Sequence, residues 1–177
     1  MKSFFFPPRN LRDELLDLDE ASYEEVQDSL QDVATVNRYL SGYRVLLQHM
    51  EPILKSHKAN RPFRVMDAAT GSADQPVELV KLARRIGIPI HITAIDINAK
   101  MLKLAQEEVA CYPEIQLLQC DILSLPFREN AFDLVVNSLS LHHFSWDKAV
   151  TILRTIYKAG RLGIVVNDLH RSRLAHV

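Results

Sequence analysis

The chain has 177 residues, 47% of them apolar and 24% charged, with a formal net charge of -1 and an isoelectric point near 6.7. That length and balance suit one globular domain with a sizeable core and exclude extended disorder. The near-neutral total also speaks against nucleic acid or a membrane surface as a general partner.

Charge is unevenly placed along the chain. Residues 1–32 carry nine acids against Lys2, Arg9 and Arg12, whereas residues 148–177 carry six Lys or Arg against Asp168 alone. A basic segment of this size is expected to be a solvated helix face rather than a phosphate-binding patch. The opening Met1-Lys-Ser-Phe-Phe-Phe6 starts like a secretion signal, but Pro7, Pro8, Arg9, Arg12 and Asp13 end the apolar run too early. Leu134 to Trp146, free of Asp, Glu, Lys and Arg, is too short to span a bilayer. Cys111 and Cys120 are the only cysteines, and both lie in apolar patterns without metal-ligand spacing. The expectation is a soluble, cytoplasmic protein with buried, reduced thiols and no metal site.

In chain order, Ser22-Tyr-Glu-Glu25 has the spacing at which a hydroxyl and a carboxylate each satisfy an orphan amide at a helix start. Val33, Val36, Leu40, Tyr43, Leu47 and Met50 then recur at steps of three and four and form one apolar stripe. Ser41-Gly42 is expected to break the segment into two helices that pack on the main domain, in preference to a short coiled coil. Lys55 to Pro62 reads as a polar connector, giving a helical cap over residues 1–58 and a second domain over 59–177.

From Phe63 the pattern alternates. Strands are expected over 63–68, 91–96, 115–121, 132–139 and 161–168, and helices over 74–86, 98–110 and 145–159. Apolar strands alternating with helices mean an α/β fold, a Rossmann-like doubly wound parallel sheet covered on both faces. Asn98 is placed to cap the helix after the second strand, and Pro113 and Pro126 mark turns.

Ligands of such a sheet bind beyond the carboxyl ends of its strands, where the strand order reverses, with the first strand-to-helix turn beneath them. Residues 67–74, Asp-Ala-Ala-Thr-Gly-Ser-Ala-Asp, occupy that turn. Asp67, Ala69, Thr70 and Gly71 are therefore binding candidates, Gly71 because it lets backbone approach a ligand without a side chain. The turn fails both the Gly-x-Gly-x-x-Gly spacing of dinucleotide folds and the Gly-Lys-Ser/Thr ending of a phosphate loop, which weakens NAD and ATP as ligands. Asp96 closes the second strand, where a carboxylate can accept two hydrogen bonds from a ribose diol. Asp121-Ile122 follows the third and could set an acid by an exocyclic amine and an aliphatic chain on a purine face, with Ile97 on the other face. Each acid alone could equally be a turn former. Three acids at equivalent strand ends point to one adenosine-shaped ligand.

The segments Ala94-Ile-Asp-Ile-Asn-Ala-Lys-Met-Leu102, Cys120-Asp-Ile-Leu-Ser-Leu-Pro-Phe127 and Phe132-Asp-Leu-Val-Val-Asn-Ser-Leu-Ser-Leu-His-His-Phe144 resemble the ribose-binding, adenine-binding and fourth-strand motifs of class I S-adenosylmethionine-dependent methyltransferases. The resemblance covers roughly Phe63 to Leu169 and is similar to the small-molecule branch that includes quinone-biosynthesis enzymes. It implies S-adenosylmethionine as cofactor, Asp96 on the ribose hydroxyls, Ile97 and Met101 flanking the adenine, Asp121 on its amine and Gly71 beneath the methionine moiety. It also implies that Asn137 lies nearest the transferring methyl, and a small organic acceptor methylated on oxygen or carbon. Asn137-Ser-Leu-Ser140 differs from the Asn-Pro-Pro-aromatic run of nucleobase amino-methyltransferases, which argues against nucleic acid.

His142 or His143 could take a proton from a phenol or enol acceptor. The plainer reading is loop packing, and a metal site from His142, His143 and His170 lacks ligand spacing. Ala69 and Ala73 stand where the family motif has glycine. If the backbone there needs positive φ, each costs on the order of 1 kcal/mol. Family members also continue past the fifth strand through a further helix and two strands. A sheet ending at Gly163-Ile-Val-Val-Asn167 would leave an apolar edge, so a homodimer or partner at that edge is expected. The competing readings are a noncatalytic domain serving as an assembly or regulatory subunit, and a nicotinamide-binding oxidoreductase.

Overall fold

A computed structural model describes residues 42–168. The capping box at Ser22, the stripe residues Val33, Val36 and Leu40, and His170 lie outside the described residues. Within them, β1 (Phe63–Ala68), β2 (Ile90–Asp96), β3 (Ile115–Gln119), β4 (Leu134–Ser138) and β5 (Ile164–Asn167) form one sheet of order β3-β2-β1-β4-β5, every pair parallel. The helices are α1 (Gly42–Lys55), α2 (Asp74–Ile86), α3 (Ala99–Glu108) and α4 (Trp146–Ala159), with a 3-10 turn over Leu141–His143. Strand order reverses between β1 and β4, where Ala68 stands opposite Asn137.

Alternation along the strands divides the core in two. Phe63 and Val65 of β1, Ile92 and Ala94 of β2 and Leu134 and Val136 of β4 face one side. They pack with Leu46, Met50 and Leu54 of α1 and Val77 and Val80 of α2. Met66, Ala68, Ile95 and Val135 face the other side, against Ile152 and Ile156 of α4. Both faces are thereby covered, which is why the strands read as nearly continuous apolar runs. The break expected at Ser41-Gly42 falls at the edge of the described residues; Leu46, Met50 and Leu54 of α1 share a single core with β1.

β1 and α2 have the bounds expected of them, while several other elements are shorter. Cys120 N–H makes the last bond of β3 to β2, at the Asp96 carbonyl, and the chain then turns, with Leu123 N–H donating to Asp121 Oδ1. β5 begins only at Ile164, after a turn in which Gly163 has φ of 120°. A Cβ on the buried Gly160 would lie 2.3 Å from the Gly163 carbonyl oxygen, so this close approach requires glycine. Asn98 caps α3 as expected, its Oδ1 accepting from Lys100 and Met101 N–H. α3 ends at Glu108, which leaves Cys111 in the turn beyond it. Cys111 is exposed and Cys120 half-buried, so the expectation of two buried thiols is corrected. Among the described residues no helix is long and apolar enough to cross a membrane.

The amino ends of the central strands are tied together by one carboxylate. Asp133, fully buried, accepts from Arg61 at 2.5 and 2.6 Å, from Arg161 at 3.0 and 3.2 Å and from Arg64 N–H at 2.9 Å. This clamp lies at the end of the sheet opposite the candidate site.

Candidate functional site

The first turn is built by three left-handed residues in alternate positions: Ala69 (φ 60°), Gly71 (φ 57°) and Ala73 (φ 61°). An L-residue pays about 1–2 kcal/mol in that region because its Cβ crowds the following carbonyl. The two alanines therefore sit in conformations that favour glycine, as the family motif suggested. Their methyl groups go to different places. Ala73 is fully buried in the core, whereas Ala69 is half-buried at the rim. Ala69→Gly is expected to stabilise the protein by roughly 0.5–1 kcal/mol, the relief of strain exceeding glycine's entropy cost. Ala73→Gly should change little, since losing a packed methyl offsets the relief. Urea unfolding of the two variants checks this, and equal gains would contradict it.

The turn is fastened to the end of β2. Gly71 N–H donates to Asp96 Oδ2 at 2.9 Å, and Asn98 N–H donates to Oδ1 at 2.9 Å. Both oxygens of Asp96 are thus oriented by backbone amides. A carboxylate has about four lone-pair sites, more than these two amides occupy. Among the described residues, a Cβ added at Gly71 would meet nothing within 4 Å.

Asp67, at the end of β1, is 3% exposed. Burial pushes its carboxyl up to about 7; the Thr70 hydroxyl opposes the shift without reaching hydrogen-bond geometry, and the charges of Asp74 and Asp96 add to it. The folded state thus holds a proton that the unfolded chain releases near pH 4. Stability from this group is present below pH 4 and is lost as pH rises through 7, a change of about 4 kcal/mol at most. Asp67→Asn should gain stability over the wild type at pH 8 and much less at pH 5. Wild-type urea midpoints unchanged between those pH values would refute it.

Buried polar atoms without partners gather at the same rim. Among the described residues these are Thr70 Oγ1, Gln75 Oε1, Asn137 Oδ1 and Ser138 Oγ, together with Arg64 Nε. The first four lie after β1, at the start of α2 and at the end of β4, around the β1/β4 switch point. Unsatisfied buried groups cost about 1–3 kcal/mol each, and a polar ligand at the rim could satisfy them.

The remaining candidates fall around that rim with different exposures. Asp121 is half-buried and holds its own turn through Leu123 N–H. Ile97 is 63% exposed, whereas Met101 and Ile122 are 6% and 7% exposed and pack inward. Ile97 therefore offers the broad apolar surface of the three. Asn137 is fully buried, with Nδ2 donating to the Ala68 carbonyl and to Ser140 Oγ, both at 2.7 Å. It joins β4 to β1 immediately before the turn.

His142 and His143 lie half-buried in the 3-10 turn with their ring centroids 4.2 Å apart. His142 Nδ1 is 2.6 Å from Asp168 Oδ1, and Leu141 N–H donates to Asp168 Oδ2 at 2.7 Å. Sequence reasoning did not single out Asp168. Its signal in the sequence is that of a further acid following a strand, and what the end of β5 faces depends on its pairing with β4. No three His, Cys, Asp or Glu among the described residues are grouped to hold a metal ion.

The methyltransferase domain family matches residues 65–163, more than half of the chain. The demethylmenaquinone methyltransferase of Staphylococcus carnosus is 26% identical over 149 residues, covering 82% of this chain and 61% of that protein. The 2-phytyl-1,4-naphthoquinone methyltransferase of Nostoc punctiforme is 28% identical over 154 residues, covering 83% and 65%. The chain therefore spans less than two thirds of the length of these relatives. A solved structure from Methanococcus maripaludis, a candidate S-adenosyl-L-methionine-dependent methyltransferase, superposes with a TM-score of 0.64 at 15% identity, covering 92% of this chain and 68% of its own. That likeness speaks for the fold alone. With its strand order, first turn and family match in agreement, the chain belongs to the methyltransferase domain family.

Proposed function

We propose that this protein transfers the methyl group of S-adenosylmethionine to oxygen or carbon of a small organic acceptor, a reduced quinone or related phenol. The observation that carries the reading is the Gly71 N–H to Asp96 contact, which joins the β1 turn to the carboxylate at the end of β2, beside the β1/β4 switch point. The unpartnered atoms of Thr70, Gln75, Asn137 and Ser138 fit a polar ligand at that position. Asp96 would receive the ribose hydroxyls, Ile97 would cover the adenine with the buried Met101 at most behind it, and Asp121 would accept from its amine.

When bound, the cofactor supplies an activated methyl carbon, and alignment of the acceptor with it provides much of the acceleration. The acceptor class rests on the two quinone methyltransferases to which the chain is similar. Titration calorimetry tests the proposal: S-adenosylmethionine and S-adenosylhomocysteine should both bind, and NAD should not. No heat and no thermal shift at millimolar ligand would overturn it in favour of a noncatalytic subunit.

A further inference from the structure

We infer that Tyr43 is a positioning residue for the cofactor turn: through Asp74 it holds residues 69–73 in the shape that receives S-adenosylmethionine, a task that glycines at 69 and 73 would ease. The inference rests on the methyl-transfer reading and goes beyond it by assigning part of the cofactor affinity to a bond made outside the turn.

The turn is held at both ends. Ala69 and Ala73 lie in the left-handed region, at φ of 60° and 61°, with Gly71 between them at 57°. The two alanines make this shape costlier than a relaxed one, because the Cβ crowds the following carbonyl. Such strain persists only where surrounding contacts hold the backbone in place. β2 supplies those contacts at the first end: Thr70 N–H donates to the Ile95 carbonyl at 2.8 Å and Gly71 N–H to Asp96 Oδ2 at 2.9 Å.

At the second end stands Asp74. It opens α2 directly after Ala73, an N-cap residue with no polar side chain to offer. Oδ1 of Asp74 accepts from Ser72 Oγ at 3.1 Å, and Oδ2 accepts from the hydroxyl of Tyr43 on α1, 31 residues away. The carboxylate therefore grips the turn with one oxygen and α1 with the other. α1 is a firm anchor, since Leu46, Met50 and Leu54 are buried in the core that it shares with β1 and α2. A hydrogen bond to a charged acceptor is stronger than a neutral one, and this one is lost when the turn moves away from α1.

Tyr43→Phe tests the clamp, because it keeps the ring and removes the hydroxyl. The Kd for S-adenosylmethionine and that for S-adenosylhomocysteine should each rise about tenfold, the loss of one hydrogen bond to a charged acceptor. At saturating cofactor, kcat and the KM for 1,4-naphthohydroquinone should stay within about twofold, since the turn acts on cofactor binding alone. In an Asp74→Ala background, Tyr43→Phe should add less than about twofold. That background separates the Asp74 bond from the other contacts of Tyr43. Adding Ala69→Gly to Tyr43→Phe should recover affinity by about two- to fivefold, as strain at residue 69 is relieved. Unchanged affinity in Tyr43→Phe, a full further loss in the Asp74→Ala background, or no recovery with Ala69→Gly overturns the inference.

Amide hydrogen exchange in the ligand-free protein reads the clamp without the cofactor. Exchange at Gly71 and Ala73 should quicken in Tyr43→Phe and slow again when Ala69→Gly is added. Should the wild type fail to bind S-adenosylmethionine, the methyl-transfer reading falls, while the exchange rates still decide for or against the clamp.

Discussion

Asp96→Ala is expected to raise the Kd for S-adenosylmethionine by on the order of 10²–10⁴-fold. Two charge-assisted hydrogen bonds to a ribose diol are worth about 1.5–3 kcal/mol each, and every 1.4 kcal/mol is tenfold in affinity. The substitution also removes the acceptor for Gly71 N–H and Asn98 N–H, so the first turn loses its fastening to β2. Asp96→Asn separates the two effects, since its single oxygen can hold one amide while the charge is gone. Calorimetry on both variants gives the answer. Unchanged affinity in the alanine variant would remove Asp96 from the site, and with it the argument that the strand ends converge on a nucleoside.

Asp133→Ala should lower stability by about 3 kcal/mol in urea denaturation. Removing one partner of a buried ion pair typically costs 3–5 kcal/mol. The lower end applies because Arg61 and Arg161 are 37% and 49% exposed and can hydrate once the carboxylate is gone. Arg64 N–H, by contrast, is left without its acceptor. Replacing Arg61 and Arg161 together should cost more, because it strands a fully buried charge.

The same group predicts acid sensitivity. Burial pushes the Asp133 carboxyl up, but hydrogen bonds from Arg61, from Arg64 N–H and from Arg161 outweigh it and hold the group well below the ordinary carboxylate range. The unfolded chain therefore takes up a proton before the folded one. The stability involved is present above about pH 4 and is lost as pH falls below it. Asp133→Ala should show a flatter acid limb than the wild type. An equally steep limb in both would place the acid sensitivity elsewhere.

Local features of the chain were legible wherever the cause was local. Val65, Met66 and Ala68 read as a buried strand because burial on both faces leaves no polar alternation. Asn98 could be recognised as a cap because its acceptors act two and three residues away. The positions of Ala69 and Ala73 raised the question of positive φ, and the turn does adopt it at both. Strand ends were less legible, as at Cys120 and Gly163, because a strand stops where its neighbour stops pairing. Cys111 illustrates the same limit, since its exposure follows from where α3 ends.

By itself, the sequence determined the order of strands and helices, the acids at the strand ends and the small-residue turn, because periodicity and backbone preference act over a few residues. Only the tertiary structure decided which side chains meet. Asp168 reaches His142 from 26 residues away, Arg61 reaches Asp133 from 72, and Gly71 and Asp96 come together across 25. These contacts depend on strand order and register. The free energy that fixes both is shared among the packed faces of the whole sheet and is carried by no single stretch of chain.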